Sequence, residues 1–260
     1  YAPALEENLI CPATPLLDER TDFGGYCPDD CGGATGTYMS ARYALAHSVN
    51  IPAVKILNEL GLARAADYLG KMQLNTDEDD LSLALALGGM RRGFTLPALA
   101  DAYAVFANCG KYAASATIAR VEDDRGRTLY THSPVQDRVF SEDTAAIMND
   151  MLQSAVTEGT AKKLRTLPFP VCAKTGTAEG DKGNTDAYCI SYTRDHTVAV
   201  WMGNRDYTPI QATGGGLPAN AALRINKFLY RSTSPSAFAE SDDVVKLRFD
   251  KTVYDEQHIV

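Results

Sequence analysis

Apolar and polar positions switch between a helical and a strand-like period along this chain, and the switches mark its elements. Residues 1–37 carry a short helical start and then turn-rich sequence, "FGGYCPDDCGG", that reads as loop. Residues 38–47 have helical spacing. In "SVNIPAVKILNELG", Val54, Leu57 and Leu60 share a helical face; Asn50 is a cap candidate, Pro52 suits the first turn and Gly61 ends the run. A short helix is expected over 63–72. A clearer one follows Thr95: Leu96, Leu99, Tyr103 and Phe106 form its stripe and Gly110 stops it. "SEDTAAIMNDMLQSAV" begins at a serine cap and runs as an amphipathic helix.

Strand signals group differently. "ATIARVEDDRGRTLY" predicts two short strands around the turn at 124–126. Three more are expected at 170–178, 186–193 and 196–203, the last two joined as a hairpin by "TRDH". A final helix is expected over 218–231, with Pro218 in its first turn. Strands do not alternate one-for-one with helices, which argues against a doubly wound parallel sheet. The expected class is α+β: an antiparallel sheet flanked by helices, with an adjoining helical region. No composition break divides the 260 residues, so a single domain over 1–260 is expected.

Charge narrows the function. Twenty-five basic against 33 acidic residues give 25 − 33 = −8, the wrong sign for a nucleic-acid footprint, so no nucleic acid is expected as partner. No apolar run approaches membrane-spanning length; "VAVWM" is strand-sized. Cys27 and Cys31 are close, but no second pair completes a four-cysteine zinc site, and His47, His132, His196 and His258 are scattered. No metal is expected. The cysteines read as free thiols, with a Cys27–Cys31 bridge the alternative in an exported chain.

The stretch with most chemistry is "VCAKTGTAEG", residues 171–180. A P-loop reading fails, because Ala173 and Pro168 stand where glycines are required. "GGGLPA" has dinucleotide-type spacing through Gly214, Gly216 and Ala219, but no apolar strand precedes it. One reading of Lys174-Thr175-Gly176-Thr177 is an edge strand with an exposed lysine. The other is a ligand-binding edge. On a strand, Lys174 and Gly176 face one way, Thr175 and Thr177 the other. Glycine leaves room for a ligand backbone, an extended peptide can pair with the edge, threonine hydroxyls can bind a carboxylate, and an N–H beyond the glycine can stabilise an oxyanion. Those are parts of an acyl-transfer site for a peptide with a free carboxylate. A second triad, Ser48-Val49-Asn50, lies far upstream at a helix junction; it reads as a cap through Asn50, a site, or both.

S-x-N followed by K-T-G is part of the signature of class A β-lactamases and penicillin-binding proteins. The chain resembles the transpeptidase domain of bifunctional, class A type penicillin-binding proteins. "ARYALAHSVNIPAVKILNELG", "LALALGGMRRGFTLPALADAYAVFANCGKY", "VTEGTAKKL", "AKTGTAEG" and "TDAYCISYTRDHTVAVWMGN" follow in the family's order, over most of the chain. The resemblance implies a serine acyl-transferase of β-lactamase-like fold, needing no cofactor. Its substrates are D-Ala-D-Ala stem peptides of peptidoglycan, and β-lactams acylate the same serine. By resemblance Ser48 shuttles protons, Asn50 orients the substrate amide, and Lys174 supplies electrostatics and holds Ser48. Thr175 and Thr177 meet the substrate carboxylate across Gly176, and the Thr177 N–H joins the oxyanion hole. The family's S-x-x-K nucleophile motif does not occur in this sequence. Its expected place is a few positions before Tyr1, so the chain reads as truncated there and inactive alone. The resemblance also implies an upstream glycosyltransferase domain and a membrane anchor, with the parent on the extracytoplasmic face of the bacterial membrane. The alternatives are a noncatalytic stem-peptide or partner-binding module, and a D,D-carboxypeptidase or β-lactamase.

Overall fold

The computed structural model describes residues 1–247; His258 lies outside the described residues. Helices α1 (Ala2–Glu6), α2 (Ala41–His47), α3 (Asn50–Leu60) and α4 (Leu62–Lys71) precede α5 (Leu96–Ala107) and α6 (Glu142–Thr157). Thr95 and Ser141 cap α5 and α6, their hydroxyls accepting from the Ala98 and Thr144 N–H groups at 3.4 Å and 3.1 Å. Ser40 caps α2 in the same way, through the Tyr43 N–H. Helix α7 (Leu217–Leu229) follows the sheet.

The sheet consists of β7 (Cys172–Gly180), β8 (Gly183–Tyr192) and β9 (Thr197–Gly203), antiparallel in that order. Its two faces bury different layers. Cys172 and Tyr192, opposite one another in register, pack with Val105, Phe106, Met148, Met151 and Leu152 of α5 and α6. Ala173, Cys189 and Val198 pack on the other face with Ala219 and Ala222 of α7 and with Leu164. The α+β class and the β8–β9 hairpin are as expected. So are the short strands β4 (Arg120–Glu122) and β5 (Thr128–Thr131) about their turn.

Two expectations change. The segment 1–37 contains β1 (Pro15–Asp18), which pairs antiparallel with β2 (Thr37–Ser40), so helix α2 begins only at Ala41 rather than at 38. Each strand is four residues long and their pairing closes a long loop, which leaves almost no local period to read. The short strands β3 (Lys111–Tyr112) and β6 (Asp137–Arg138) also pair across a long connection. All six cysteines are free thiols; Cys27 and Cys31 are exposed. Among the described residues no cluster of three metal-ligating side chains occurs, and no helix is long and apolar enough to cross a membrane.

Candidate active site

The two triads meet. The Lys174 ammonium donates to Ser48 Oγ at 2.8 Å, although 126 positions separate them. Lys174 comes from β7 and also donates to the Thr175 carbonyl at 2.8 Å. Ser48 follows α2 and is held left-handed, φ +60°. Few side chains adopt that conformation, and it carries strain of about 1–3 kcal/mol, so the surroundings must impose it. The Ser48 N–H donates to the Leu45 carbonyl and the Val49 N–H to the Ala44 carbonyl, closing the end of α2.

Helix α2 is fixed in turn to α6 and to the loop beyond it. Arg42 forms an ion pair with Asp150 and donates to the Asp150 carbonyl at 3.1 Å and Ser154 Oγ at 3.0 Å. The Thr160 N–H donates to the Ala46 carbonyl at 3.1 Å. Thr160 Oγ1 accepts from the Thr175 hydroxyl at 2.6 Å. Thr160 thus ties the helix that ends at Ser48 to the strand that carries Lys174. It lies within "VTEGTAKKL", but nothing in the residues of that segment gave it a task. Gly159 allows the approach: a Cβ there would lie 2.0 Å from the Ala46 carbonyl oxygen.

Asn50 does not cap α3. Its side chain donates to the Asp29 carbonyl at 2.6 Å. The side chain of Asp30 does the capping, its Oδ1 accepting the N–H groups of Asn50 and Ile51. An acceptor twenty residues upstream leaves no signal in the local sequence, so the nearest capping-type side chain was the natural but wrong choice.

The threonines face away from Lys174. Thr175 is buried against Thr160, and Thr177 Oγ1 accepts the Gly214 N–H at 3.1 Å. A Cβ at Gly214 would fall 2.5 Å from the Gly176 carbonyl oxygen, so this glycine turn seats directly on β7. Gly176 differs. A Cβ there would meet only Tyr188 side-chain atoms, at 3.7 Å and 3.8 Å, which is ordinary contact. The protein's own packing gives no reason for glycine at 176. A separate cleft of about 420 Å³, lined by Lys163, Asn184, Thr213 and Asn220 among others, includes none of Ser48, Asn50 or Lys174.

Desolvation pushes the half-buried Lys174 down to about 8. Burial pushes the Cys189 thiol up to about 12, so near neutral pH it offers the ammonium no counter-charge. A lysine near neutrality, bonded to a hydroxyl, can hold or pass a proton at Ser48 Oγ.

Comparison with known proteins gives the family. A family model, the penicillin binding protein transpeptidase domain, matches residues 1–227. The chain belongs to that family. Penicillin-binding protein 1F of Bacillus subtilis is 36% identical over 206 residues, 78% of this chain and 28% of its own length. Penicillin-binding protein 1A of Clostridium acetobutylicum is 33% identical over 223 residues, 81% of this chain and 27% of its own length. The chain therefore spans less than a third of these penicillin-binding relatives. The structure of the penicillin-binding protein PonA1 from Mycobacterium tuberculosis superposes with a TM-score of 0.81 at 20% identity, covering 94% of this chain and 68% of that one. PonA1 in complex with penicillin V gives 0.79 at 21%, covering 94% and 70%. At such identities the likeness shows the fold, and it bears out the α+β, β-lactamase-like class.

Proposed function

We propose that this chain forms the S-x-N and K-T-G side of a D,D-transpeptidase site, which cross-links peptidoglycan stem peptides through a serine acyl-enzyme and is acylated by β-lactams. The observation that carries this reading is the Lys174–Ser48 hydrogen bond of 2.8 Å. The nucleophilic serine, with its S-x-x-K lysine, belongs to a segment outside these 260 residues. In the first step that serine attacks the D-Ala-D-Ala amide. Its proton leaves through Ser48 Oγ, which Lys174 orients, to the departing D-alanine amine. In the second step the amine of a neighbouring stem takes the acyl group and forms the cross-link. Asn50 orients the substrate amide. Glycine at 176 leaves the face it shares with Lys174 open to the substrate backbone. Thr175 and Thr177 recognise the terminal carboxylate, which requires Thr175 to exchange its bond with Thr160. The Thr177 N–H completes the oxyanion hole. No cofactor takes part. The parent protein carries a glycosyltransferase domain and a membrane anchor and works outside the cytoplasmic membrane.

The test uses a protein that joins this chain to an S-x-x-K segment, incubated with labelled stem peptides. Cross-linked dimer is expected. Hydrolysed monomer alone would reassign the site as a carboxypeptidase. Binding of stem peptide with neither product would leave the noncatalytic module.

A further inference from the structure

Behind the start of α3 lies a pair of carboxyl groups with too few donors. Asp18, at the end of β1, is 1% exposed. Its Oδ2 accepts the Thr35 N–H at 2.8 Å and the Thr35 hydroxyl at 2.7 Å. Asp30 Oδ1 accepts the Asn50 and Ile51 N–H groups. That leaves Asp18 Oδ1 and Asp30 Oδ2 buried and without a donor. The two side chains are close enough for each to shift the ionisation of the other. As carboxylates both oxygens only accept, and no bond can form between them. One proton resolves the conflict: two buried carboxyl groups that shift each other's ionisation are disfavoured as a pair of charges.

We propose that Asp30 is a positioning residue for Asn50, sharing a single proton with Asp18 so that the singly charged, hydrogen-bonded pair locks the start of α3. The functional half of this statement rests on the reading of Asn50 as a site residue. The proton resides on Asp30, and the charged groups around the pair say why. Lys55 of α3, whose ammonium donates to the Leu17 carbonyl at 2.8 Å, favours charge on Asp18. The Tyr1 phenol is buried without a partner and lies close enough to Asp30 to sense its charge; as a neutral group it supplies no cation there. Burial and the bond to Asp18 raise the Asp30 pKa above its ordinary 3.8. For Asp18 burial acts upward too, but the bonds from Asp30 and Thr35 outweigh it and the net shift is downward.

The sign of the pH dependence follows. Above 3.8 the unfolded chain gives up the Asp30 proton before the folded one does. Stability contributed by Asp30 is full below that value and declines as pH rises through its higher folded pKa, whereas the contribution of Asp18, whose pKa is lowered, is lost as pH falls below 3.8. The decline releases the residues that hold Asn50, since Asp29 and Asp30 both bond it.

Thermal unfolding of the 260-residue chain as a function of pH, together with the Asn50 amide signals in NMR, tests this. Asp30→Asn keeps an acceptor for the α3 N–H groups and supplies a permanent N–H to Asp18, imitating the protonated acid. It is expected to lose the wild-type decline in Tm above 3.8 and to hold the Asn50 signals constant there. Asp30→Ala is expected to lower Tm at every pH. Asp18→Asn, which supplies the same donor from the other side, is expected to reproduce the Asp30→Asn profile if that variant does not fold. An unaltered decline in the Asn variant that folds, or an Asp30→Asn Tm as low as that of Asp30→Ala, would overturn the proposal. Neither readout needs a nucleophile or a β-lactam, so the outcome is independent of the Ser48–Lys174 assignment.

Discussion

Adding one methyl group at Gly159 should separate the two halves of the candidate site. An alanine Cβ there would lie 2.0 Å from the Ala46 carbonyl oxygen and 2.8 Å from the Ala155 Cα. Both are backbone atoms, so no side chain can swing aside. Either α2 moves away from α6, or the loop lifts and the Thr160 N–H loses the Ala46 carbonyl. Overpacking of this kind costs about 1–3 kcal/mol. One lost hydrogen bond adds about 0.5–1.5 kcal/mol. The sum is about 1.5–4.5 kcal/mol. At about 2–4 °C per kcal/mol for a domain of this size, Gly159→Ala should lower Tm by roughly 3–18 °C. Differential scanning calorimetry of the chain measures it. Gly70 provides the control: it sits in α4 with nothing within 4 Å of its added Cβ. Gly70→Ala should raise stability by about 0.5–1 kcal/mol through helix propensity. A Gly159→Ala chain as stable as wild type would refute the close packing of α2 on this loop, and with it the positioning of Ser48.

Two other substitutions probe the same neighbourhood. Thr160→Ser retains the hydroxyl that Thr175 bonds and should leave urea unfolding within about 0.5 kcal/mol of wild type, whereas Thr160→Val strands the buried Thr175 hydroxyl and should cost about 1–3 kcal/mol; equal midpoints for the serine and valine chains would remove Thr160 as the tie. Lys174→Met should change how stability varies with pH. The Lys174 pKa is depressed from 10.5 to about 8, so between those values the unfolded chain binds more protons and wild-type stability rises relative to the methionine variant. Buried Cys172 and Cys189 act oppositely in both proteins and cancel in the difference. Parallel pH profiles for the two proteins would contradict the desolvated lysine.

What could be read in the sequence followed how local the governing interactions are. Helices α5 and α6 carry their own caps, Thr95 and Ser141, and long apolar stripes, so both were legible. The same holds for β7–β9, where the sheet covers a contiguous stretch of chain and its hairpin turn is tight. The pairing of β1 with β2 was not legible, because it joins two four-residue strands across a loop rich in glycine and aspartate. The candidate site divides along the same line. Lys-Thr-Gly and Ser-Val-Asn announced themselves as triads. Their supports did not: Asp30 reaches α3 from a loop, and Thr160 works through one backbone and one side-chain bond to partners far apart in sequence. Only the folded chain brings those groups together.

The most direct measurement of the central claim is acylation by a fluorescent penicillin, in a protein that joins this chain to its S-x-x-K segment. Wild type should label. Ser48→Ala and Lys174→Ala should each lose labelling by orders of magnitude while unfolding near the wild-type temperature, because the Lys174–Ser48 bond of 2.8 Å holds the proton path. Undiminished labelling of either variant would contradict the account.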